Sequence, residues 1–487
     1  MTDWADRSAT EIVAGIKAGE VSSRELLATF LDRVDRRRDL NAVVTLDVER
    51  ATATAAQADE AVARGEPLGP LHGLPMTVKD AFETEGLRTT SGAPELADHI
   101  PERDADAVAR LRAAGAVIFG KTNLPLYAGD IQTYNEVFGV TNNPWDQSCC
   151  AGGSSGGAAA ALAARLTPLE LGSDIGGSIR NPAHYCGVTG LKPTYGIVPI
   201  RGHIPGPPGS LSEGDIGVAG PMARTVDDLE LGLDVLAGPD AARGVAWRLE
   251  LPPPRATTLD GYRVATWLDD PAAPVDRSVL ELLEGAVATL ADAGAQVDER
   301  ASLGVDLAEI ADVYIQLLLG VLAGGFPPEV LAAAEEMAPT LDPGDRSLPT
   351  SFLRGMAQRK RDWNRSHERR EQIRARWAEL FTQVDVLLCP IAGTAAFPHD
   401  HGPDQMARTV LVNGEERPGF DTVIWAGLVG MALLPSAVVP VGKTAEGKPV
   451  GIQVVAPYLE DRTALDVARR LHALVGDIGA PPEPALA

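Results

Sequence analysis

The stretch CCAGGSSGGAAAA, residues 149–161, joins a polar segment to a run of alanines through two pairs of glycines. The alanines begin a helical pattern over 157–166, which indicates a closely packed helix. Glycine lets a backbone approach a neighbouring group and adopt positive φ, so the glycines before the helix allow a sharp turn. We interpret the segment as a turn at a functional site and not as a flexible spacer.

A second glycine-flanked serine follows in GSDIGGSIRNPAHYCG, residues 172–187, where Ser178 stands behind two glycines. Backbone N–H groups in such a loop are free to point into a site because they are not needed for a strand ladder. The amides of Ile175, Gly176 and Gly177 are therefore predicted to form an oxyanion hole. Ser178 is the candidate nucleophile beside it.

A serine hydroxyl needs a base, and no histidine and aspartate partners stand out downstream. Lys79 ends the apolar stretch GLPMTVKD, residues 73–80. Burial there would lower its affinity for a proton and supply a neutral amine. The residues leave one alternative open, an ion pair with Asp80, although neighbours on a strand point to opposite faces.

Short apolar runs alternate with helical segments along the chain, which predicts an α/β fold. The helical segments include 105–114, 157–166 and 279–293. The strand-like runs are LPMTVKD (74–80), AVIFGKT (116–122), LEL (169–171), YGIVPI (195–200), YRVATW (262–267), VDVLLCP (384–390), SAVVPVG (436–442) and PVGIQVVAP (449–457).

Two other motif strings are present without their structural context. GAVIFGKT, residues 115–122, satisfies the P-loop pattern, but its interior is strand-like and Pro125 interrupts the helix that should follow. The G-x-S-x-G pattern occurs twice, centred on Ser154 and Ser155, but no apolar strand precedes it as a nucleophile elbow requires. We reject both readings.

The ordered set GLPMTVKD, AGGSSGG, GSDIGGSIRNPA and GLKPTYG resembles the amidase signature family, whose members use a Ser-cisSer-Lys triad. The resemblance implies a large mixed β-sheet core covered by helices on both faces. It implies that Ser178 is the nucleophile and Lys79 the base. It also implies that Ser154 is the bridging serine, preceded by a cis peptide after Gly153.

Further roles follow from the same resemblance. Asp174 and Arg180 are expected to brace the glycine loop, with contact between Arg180 and a substrate carboxylate as the alternative. Ser155, with Gly153, is expected to support the turn around Ser154. The expected pocket residues are Tyr127, Asp130, Ile131, Gln132, Asp421 and Trp425.

The chain is expected to form one amidase domain over 1–487, and its parts differ in composition. Residues 1–65 form an N-terminal helical segment, and residues 66–238 form the signature core with the triad. A Pro/Gly-rich excursion and a mostly helical region follow over 239–385. Residues 386–487 supply the C-terminal strands and a helix that complete the sheet.

Charge and composition limit the partners. The 67 acidic residues against 43 basic ones give a formal charge of −24, which repels nucleic acid and anionic membranes. The one strongly basic segment, 352–381, is interpreted as a solvated helix face. The longest nearly uncharged stretches, such as 315–326, are too short to span a bilayer.

The four cysteines give no spaced disulfide framework, and the N-terminus has no signal pattern, so a cytoplasmic location is expected. The resemblance implies no metal and no organic cofactor. Its expected partner is a small-molecule amide, and a homodimer is left open as the oligomeric state.

The predicted activity is hydrolysis of a small carboxamide by a stand-alone amidase. The alternative is the A subunit of glutamyl-tRNA(Gln) amidotransferase, which usually carries DEFAMG and SDTGGS where this chain reads LPLYAGD, residues 124–130, and SDIGGS, residues 173–178. A third alternative, an inactive binding module, is disfavoured because all three triad positions are filled.

Overall fold

The structure is a computed structural model, and it describes residues 3–204, 206–299, 301–402 and 404–482. The strands are β1 Val43–Leu46, β2 Pro75–Lys79, β3 Val117–Thr122, β4 Tyr134–Asn135, β5 Gly139–Val140, β6 Leu169–Asp174, β7 Thr189–Lys192, β8 Val218–Ala223, β9 Arg263–Thr266, β10 Gln296–Asp298, β11 Val386–Cys389, β12 Thr409–Val412, β13 Glu415–Pro418, β14 Ser436–Lys443 and β15 Pro449–Val455. The helices are α1 Ala9–Ala18, α2 Ser23–Arg36, α3 Val48–Arg64, α4 Asp106–Ala113, α5 Gly156–Ala163, α6 Arg180–Cys186, α7 Val226–Leu236, α8 Arg277–Asp292, α9 Leu307–Leu322, α10 Pro328–Met337, α11 Leu348–Ala357, α12 Lys360–Gln383, α13 Ile424–Gly430 and α14 Asp461–Val475.

Eleven strands of the described residues form one sheet, in the order β1-β3-β2-β6-β8-β7-β14-β15-β11-β9-β10. β2 runs parallel to β3 and β6, and β9 runs parallel to β10 and β11. The pairs that β8 makes with β6 and β7, and those that β14 makes with β7 and β15, are antiparallel. The sheet is therefore mixed, as predicted.

Both faces of the central strands are covered. Every residue of β2, β3, β6, β8 and β15 is buried. Successive strand residues point to opposite faces, so continuous burial requires cover on both sides. Helices α5, α6, α8 and α14 pack against strands of this sheet. The predicted fold class, α/β with a large mixed sheet between helices, is confirmed.

The structure corrects two local predictions and supports a third. YGIVPI is not a strand, because Gly196 has φ +86° and turns the chain. The N-terminal segment 1–65, predicted as helical, also supplies strand β1 on the edge of the sheet. The interior of the P-loop string, VIFGKT, is strand β3, which supports the rejection of a nucleotide-binding loop.

The nearly uncharged stretch 315–326, predicted from the sequence to be too short to span a bilayer, lies mostly within a longer helical segment. Among the described residues, one helical segment, Leu307–Gly325, is long and apolar enough to cross a membrane by length and composition. Its Ile310, Tyr314 and Leu317 are fully buried. Asp312 on the same helix accepts a hydrogen bond from Ser351 of α11, at 2.6 Å. These contacts pack one side of the helix against the rest of the protein.

The basic segment is split between α11 and α12, and several of its arginines are paired with acidic residues of this chain. Arg370 is buried and its guanidinium lies 2.8 Å from the Asp215 carboxylate. Arg369 forms a salt bridge with Glu309 of α9. Buried Trp377 also packs inward, so only part of the helix surface is the solvated face that the sequence predicted.

Candidate active site

The candidate triad residues meet where two parallel strands end. β2 ends at Lys79 and β6 ends at Asp174, and the two strands pair in parallel register. The carboxyl ends of parallel strands are a common place for active sites in α/β proteins. Helix α5 begins immediately after the Ser154–Ser155 pair, and α6 begins immediately after the Ser178 loop. The fold thus brings three distant sequence motifs to one edge of the sheet.

Lys79 is fully buried, and its ammonium is surrounded by hydroxyl groups. Nζ donates to Ser154 Oγ at 2.6 Å, and to Ser155 Oγ and Ser173 Oγ at 3.0 Å each. Burial lowers the pKa of Lys79 to about 7, against a smaller opposing effect of the Asp174 and Glu170 carboxylates. A neutral amine is therefore accessible near neutral pH.

The competing ion pair with Asp80 is not formed. The Asp80 carboxylate accepts hydrogen bonds from Thr90 N–H, at 3.1 Å, and from the Thr90 hydroxyl, at 2.6 Å. Burial raises the pKa of Asp80 to about 6, and the cation that most opposes this shift is Lys121. Lys79, the last residue of β2, and Asp80, which follows the strand, thus have different partners.

The peptide between Gly153 and Ser154 is cis. The Ser155 N–H donates to the Ser178 carbonyl at 3.0 Å, which ties the two serine loops together. Ser178 is 9% exposed, whereas Ser154 and Ser155 are buried. The structure therefore places Ser154 in contact with Lys79 and the Ser178 backbone beside Ser155, and Ser178 is the most exposed of the three serines.

Gly153 is enclosed by backbone. A Cβ on Gly153 would lie 2.5 Å from the Asp130 carbonyl oxygen and 2.6 Å from the Ile131 carbonyl carbon. Because backbone atoms cannot turn aside as a side chain can, no larger residue fits there. The loop that contains Asp130 and Ile131 thus forms the wall behind the Gly153–Ser154 peptide.

The Asp174 carboxylate organises the glycine loop. It accepts hydrogen bonds from Gly177 N–H at 2.9 Å and Ile179 N–H at 3.1 Å. Burial acts to raise the pKa of Asp174, but the Arg180 guanidinium outweighs it and the pKa falls to about 2. The Gly177 amide is thus committed to Asp174, which is a correction to the predicted three-amide oxyanion hole. Ile175 and Gly176 remain the candidate donors.

Arg180 is fully buried and its guanidinium is occupied by protein groups. Nε and Nη2 donate to Asp174 at 3.0 and 2.9 Å. Nη1 donates to the Ala426 carbonyl at 2.9 Å and to Gln453 Oε1 at 3.1 Å. The bidentate pair of Arg180 with Asp174 corresponds to the expected bracing of the glycine loop. The alternative, a contact between Arg180 and a substrate carboxylate, is not supported.

Comparisons with known proteins identify the family of the chain. The profile of the amidase family matches residues 25–465. The chain belongs to the amidase signature family. It is 34% identical to an acylamidase of Rhodococcus erythropolis over 482 residues, covering 96% of this chain and 95% of that protein.

The relatives fall into two classes of amidase signature proteins. The chain is also 34% identical to the A subunit of glutamyl-tRNA(Gln) amidotransferase from Chromohalobacter salexigens, covering 96% of each protein. Among solved structures, a bacterial aryl acylamidase of the amidase signature family superposes with a TM-score of 0.79 at 25% identity, covering 96% of each chain. The protein is an amide-hydrolysing enzyme.

The pocket residues expected from the family resemblance differ in their surroundings. The Asp130 side chain is 4% exposed and paired with Arg408, at 2.8 Å. Gln132 is buried and bonds the Asp400 backbone through both amide atoms, at 2.7 and 3.0 Å. Their polar groups are therefore used within the protein, which places these two side chains inside the loop wall and not on an open pocket surface.

The other expected pocket residues divide in the same way. Trp425 is fully buried and donates to the Ala273 carbonyl at 2.9 Å, so it packs in the interior. Tyr127, whose hydroxyl donates to Glu95 at 2.6 Å, and Ile131 are partly exposed. Asp421 is partly exposed and paired with Arg417 at 2.8 Å.

Sequence reasoning missed three residues beside the site. Ser173 bonds Lys79, and His203 Nε2 lies 2.8 Å from Ser173 Oγ. The Tyr314 hydroxyl lies 3.4 Å from the Ile175 carbonyl oxygen, and a Cβ on Gly176 would lie 2.6 Å from that hydroxyl. Only Ser173 had a signal, because it precedes Asp174 in a recognised motif; the other two arrive from distant segments.

Metal binding has no candidate in the described part of the chain, where no group of three or more His, Cys, Asp or Glu side chains is arranged to hold an ion.

Proposed function

We propose that the protein hydrolyses small carboxamides to a carboxylic acid and ammonia or an amine through an acyl-enzyme on Ser178. The observation that carries the proposal is the buried Lys79 amine, 2.6 Å from Ser154 Oγ, with a pKa lowered by burial to about 7. A base with a pKa near the working pH is the most effective proton acceptor.

Acylation requires two coupled proton transfers. Neutral Lys79 takes the hydroxyl proton of Ser154, and Ser154 takes the hydroxyl proton of Ser178. The Ser178 oxygen attacks the amide carbon, and the carbonyl oxygen becomes an oxyanion. We assign the stabilisation of this negative charge to the N–H groups of Ile175 and Gly176, acting as oxyanion-hole donors.

Collapse of the tetrahedral intermediate breaks the C–N bond. The proton held by Lys79 returns through Ser154 to the leaving nitrogen, which departs as ammonia or an amine. Water then attacks the Ser178 ester while Ser154 and Lys79 remove one of its protons. The bond between the acyl carbon and Ser178 Oγ breaks, the proton returns through Ser154 to Ser178 Oγ, and the carboxylic acid leaves. Protein groups supply every proton transfer and the oxyanion contacts.

Tyr127, Ile131 and Asp421 are proposed to contact the substrate, since all three are partly exposed. Tyr127 and Ile131 lie on either side of Asp130, whose backbone adjoins Gly153. Each of the three residues is partly exposed to solvent, and a small amide that binds against it would displace water. The buried side chains of Asp130, Gln132 and Trp425 are instead proposed to hold that wall in place.

A stand-alone enzyme is the role we propose, and the second candidate is the A component of the amidotransferase. Overall identity does not separate them, because the acylamidase and the amidotransferase relative are both 34% identical to this chain. The distinction rests on the stretches LPLYAGD, residues 124–130, and SDIGGS, residues 173–178. Both adjoin the triad, and both differ from the amidotransferase pattern.

The test is turnover by the isolated chain on a panel of aliphatic, aromatic, amino-acid and cyclic amides that includes glutamine. We expect ammonia or amine release from simple amides without any partner, and none from a Ser178→Ala variant, which controls for a contaminating amidase. Release from glutamine only, and only with partner proteins and charged tRNA, would establish the amidotransferase role instead.

A further inference from the structure

Three hydroxyl groups surround the Lys79 amine, and their hydrogens decide which of them the amine can deprotonate. Nζ lies 2.6 Å from Ser154 Oγ and 3.0 Å from both Ser155 Oγ and Ser173 Oγ. A neutral amine has two N–H donors and one lone pair, and a serine hydroxyl has one donor and two acceptor sites. Two of the hydroxyls must therefore accept from Lys79, and only one can donate to it.

Ser155 already has an acceptor for its hydroxyl hydrogen. Its Oγ donates to the Ser173 carbonyl at 3.3 Å. The same Oγ accepts from the Ser173 N–H at 3.4 Å. Because its one hydrogen is directed to a carbonyl, Ser155 meets Lys79 as an acceptor.

Ser173, like Ser155, has another acceptor for its hydroxyl hydrogen. The Nε2 atom of His203 lies 2.8 Å from Ser173 Oγ. When Lys79 is charged it offers only donors, so the hydroxyl hydrogen of Ser173 is directed to Nε2. This requires a neutral ring with its hydrogen on Nδ1. Burial, followed by the nearby Lys79 charge, lowers the pKa of His203 to about 3, so the ring is neutral at working pH.

The backbone holds His203 in place. Residues 82 and 203 form an isolated antiparallel β-bridge, and the Ile204 N–H donates to the Ala81 carbonyl at 2.8 Å. The imidazole packs edge-on against the Phe82 ring, with centroids 4.9 Å apart. The Phe82 N–H donates to the Lys79 carbonyl at 3.1 Å. The short segment 79–82, which begins at the last residue of β2, therefore carries the lysine and anchors the histidine.

We propose that His203 is a positioning residue that acts through Ser173. By accepting the Ser173 hydroxyl hydrogen, His203 makes Ser173 accept from Lys79, so that the lone pair of the neutral amine is left for Ser154. Without this acceptor the Ser173 hydroxyl can rotate and donate to Lys79, which occupies the lone pair that the relay needs. The inference rests on the proposed acyl-transfer function and adds a residue to it.

The kinetic test compares variants that keep or remove the acceptor. His203→Gln places an amide oxygen near the position of Nε2, whereas His203→Asn is too short and His203→Leu has no acceptor. We expect kcat on an amide to fall roughly 10- to 100-fold in the Asn and Leu variants, with KM within about 2-fold of wild type, and to recover in Gln. His72→Leu, a partly buried histidine far from the site, is the matched control.

Dependence on Ser173 is tested in a double-mutant cycle. If His203 acts through Ser173, the Leu substitution at position 203 should cause no further loss of kcat in a Ser173→Ala background. Additive losses, unchanged kcat in His203→Leu, or a Gln variant as impaired as Leu would overturn the inference.

The tautomer gives a readout that does not depend on turnover. In ¹⁵N-histidine-labelled wild-type protein, the ring signal that disappears in His203→Gln should report protonated Nδ1 and unprotonated Nε2 between pH 6 and 9. A protonated Nε2 would overturn the inference even if the enzyme is an active amidase. Failure of wild-type protein to hydrolyse any amide, with this tautomer present, would instead count against the proposed function.

Discussion

At the scale of single residues, Lys79 combines two effects that act on the same amine. Burial disfavours the charged form, and the three surrounding hydroxyls give the amine hydrogen-bond partners in either state. An apolar pocket would remove the charge but leave the N–H groups unpaired. The serine-lined pocket supplies a proton acceptor without that cost.

Amide turnover should depend on the protonation of Lys79. Below its pKa of about 7 the lysine holds a proton and cannot accept another, so kcat/KM should rise with pH through about 7. Burial also raises the pKa of Glu170 to about 7, and the other charged or titratable groups facing Lys79 are Asp174 and His203.

A pH–rate profile of wild type beside Glu170→Gln separates Lys79 from Glu170, the group facing it whose pKa is also about 7. The acidic limb should persist in the Gln variant, moved slightly to lower pH because the Glu170 charge raises the pKa of Lys79. A flat wild-type profile between pH 5.5 and 8.5, or loss of the limb in the variant, would show that Lys79 is not the titrating base.

Gly153→Ala should impair both activity and stability. The added Cβ would fall 2.5 Å from the Asp130 carbonyl oxygen, so the wall or the catalytic turn must move. We expect about 1–3 kcal/mol lower unfolding free energy and a loss of kcat of roughly 100-fold. Gly285→Ala, on an exposed face of α8 with open space around it, is the control and should be neutral or slightly stabilising.

The sequence pointed to Lys79 and Ser178 as candidates because each stands in a motif with its own glycine or strand pattern, and the family resemblance added Ser154 as a candidate. His203 and Tyr314 have no such pattern, because their places beside the site depend on how distant segments pack. Arg408, which holds Asp130, lies 278 residues away from it in the chain. Such contacts are long-range, and one sequence carries no local signal for them.

At the scale of elements, the turn from β6 into α6 is held by the Asp174–Arg180 pair. Arg180 also donates to Ala426 of α13 and to Gln453 of β15, so one guanidinium joins the glycine loop to two other elements. Because both charges are buried, the free energy of the pair depends on every donor being used.

Arg180→Met should therefore destabilise the protein strongly. It would leave the Asp174 carboxylate buried without its cation, and we expect a loss of about 3–5 kcal/mol in denaturant unfolding. Arg24→Met, which removes a mostly exposed arginine from its pair with Asp59, is the control and should change stability by less than about 1 kcal/mol. Equal effects of the two substitutions would contradict the bracing role.

Strand prediction succeeded where single glycines or prolines stand within an apolar run, and it failed for β8, where a glycine and a proline are adjacent. β2, β14 and β15 follow long apolar stretches and were predicted. Gly220 and Pro221 interrupt the apolar pattern of β8, so the sequence did not predict this strand, which pairs with β6 on one side and with β7 on the other. YGIVPI has the residue types of a strand, but the turn at Gly196 prevents it from joining the sheet.

At the scale of the whole molecule, the segment around Arg408 closes over the wall of the site. Arg408 donates to Asp130 Oδ2 at 2.8 Å and to the Tyr134 hydroxyl at 2.7 Å, and both charged side chains are nearly fully buried. The Asp130 backbone in turn adjoins Gly153. Arg408, which immediately precedes β12, thereby supports the turn that contains Gly153 and Ser154.

A double-mutant cycle on Asp130→Asn and Arg408→Met should show this support. We expect a coupling energy above about 1 kcal/mol in unfolding, and a fall in kcat in both single variants because the wall behind Gly153 loosens. The exposed pair of Arg36 and Asp32 is the control and should couple by less than about 0.5 kcal/mol. A coupling energy no larger than in the control would show that the Asp130–Arg408 pair does not support the wall.

The central claim is that Ser178 is the nucleophile, and covalent labelling tests it most directly. Wild-type protein treated with a fluorophosphonate should gain one adduct, found by peptide mass spectrometry on Ser178, and Ser178→Ala should gain none. Ser148→Ala, at an exposed serine outside the triad, should label like wild type. An adduct that persists in Ser178→Ala, or that lies on another serine in wild type, would contradict the account.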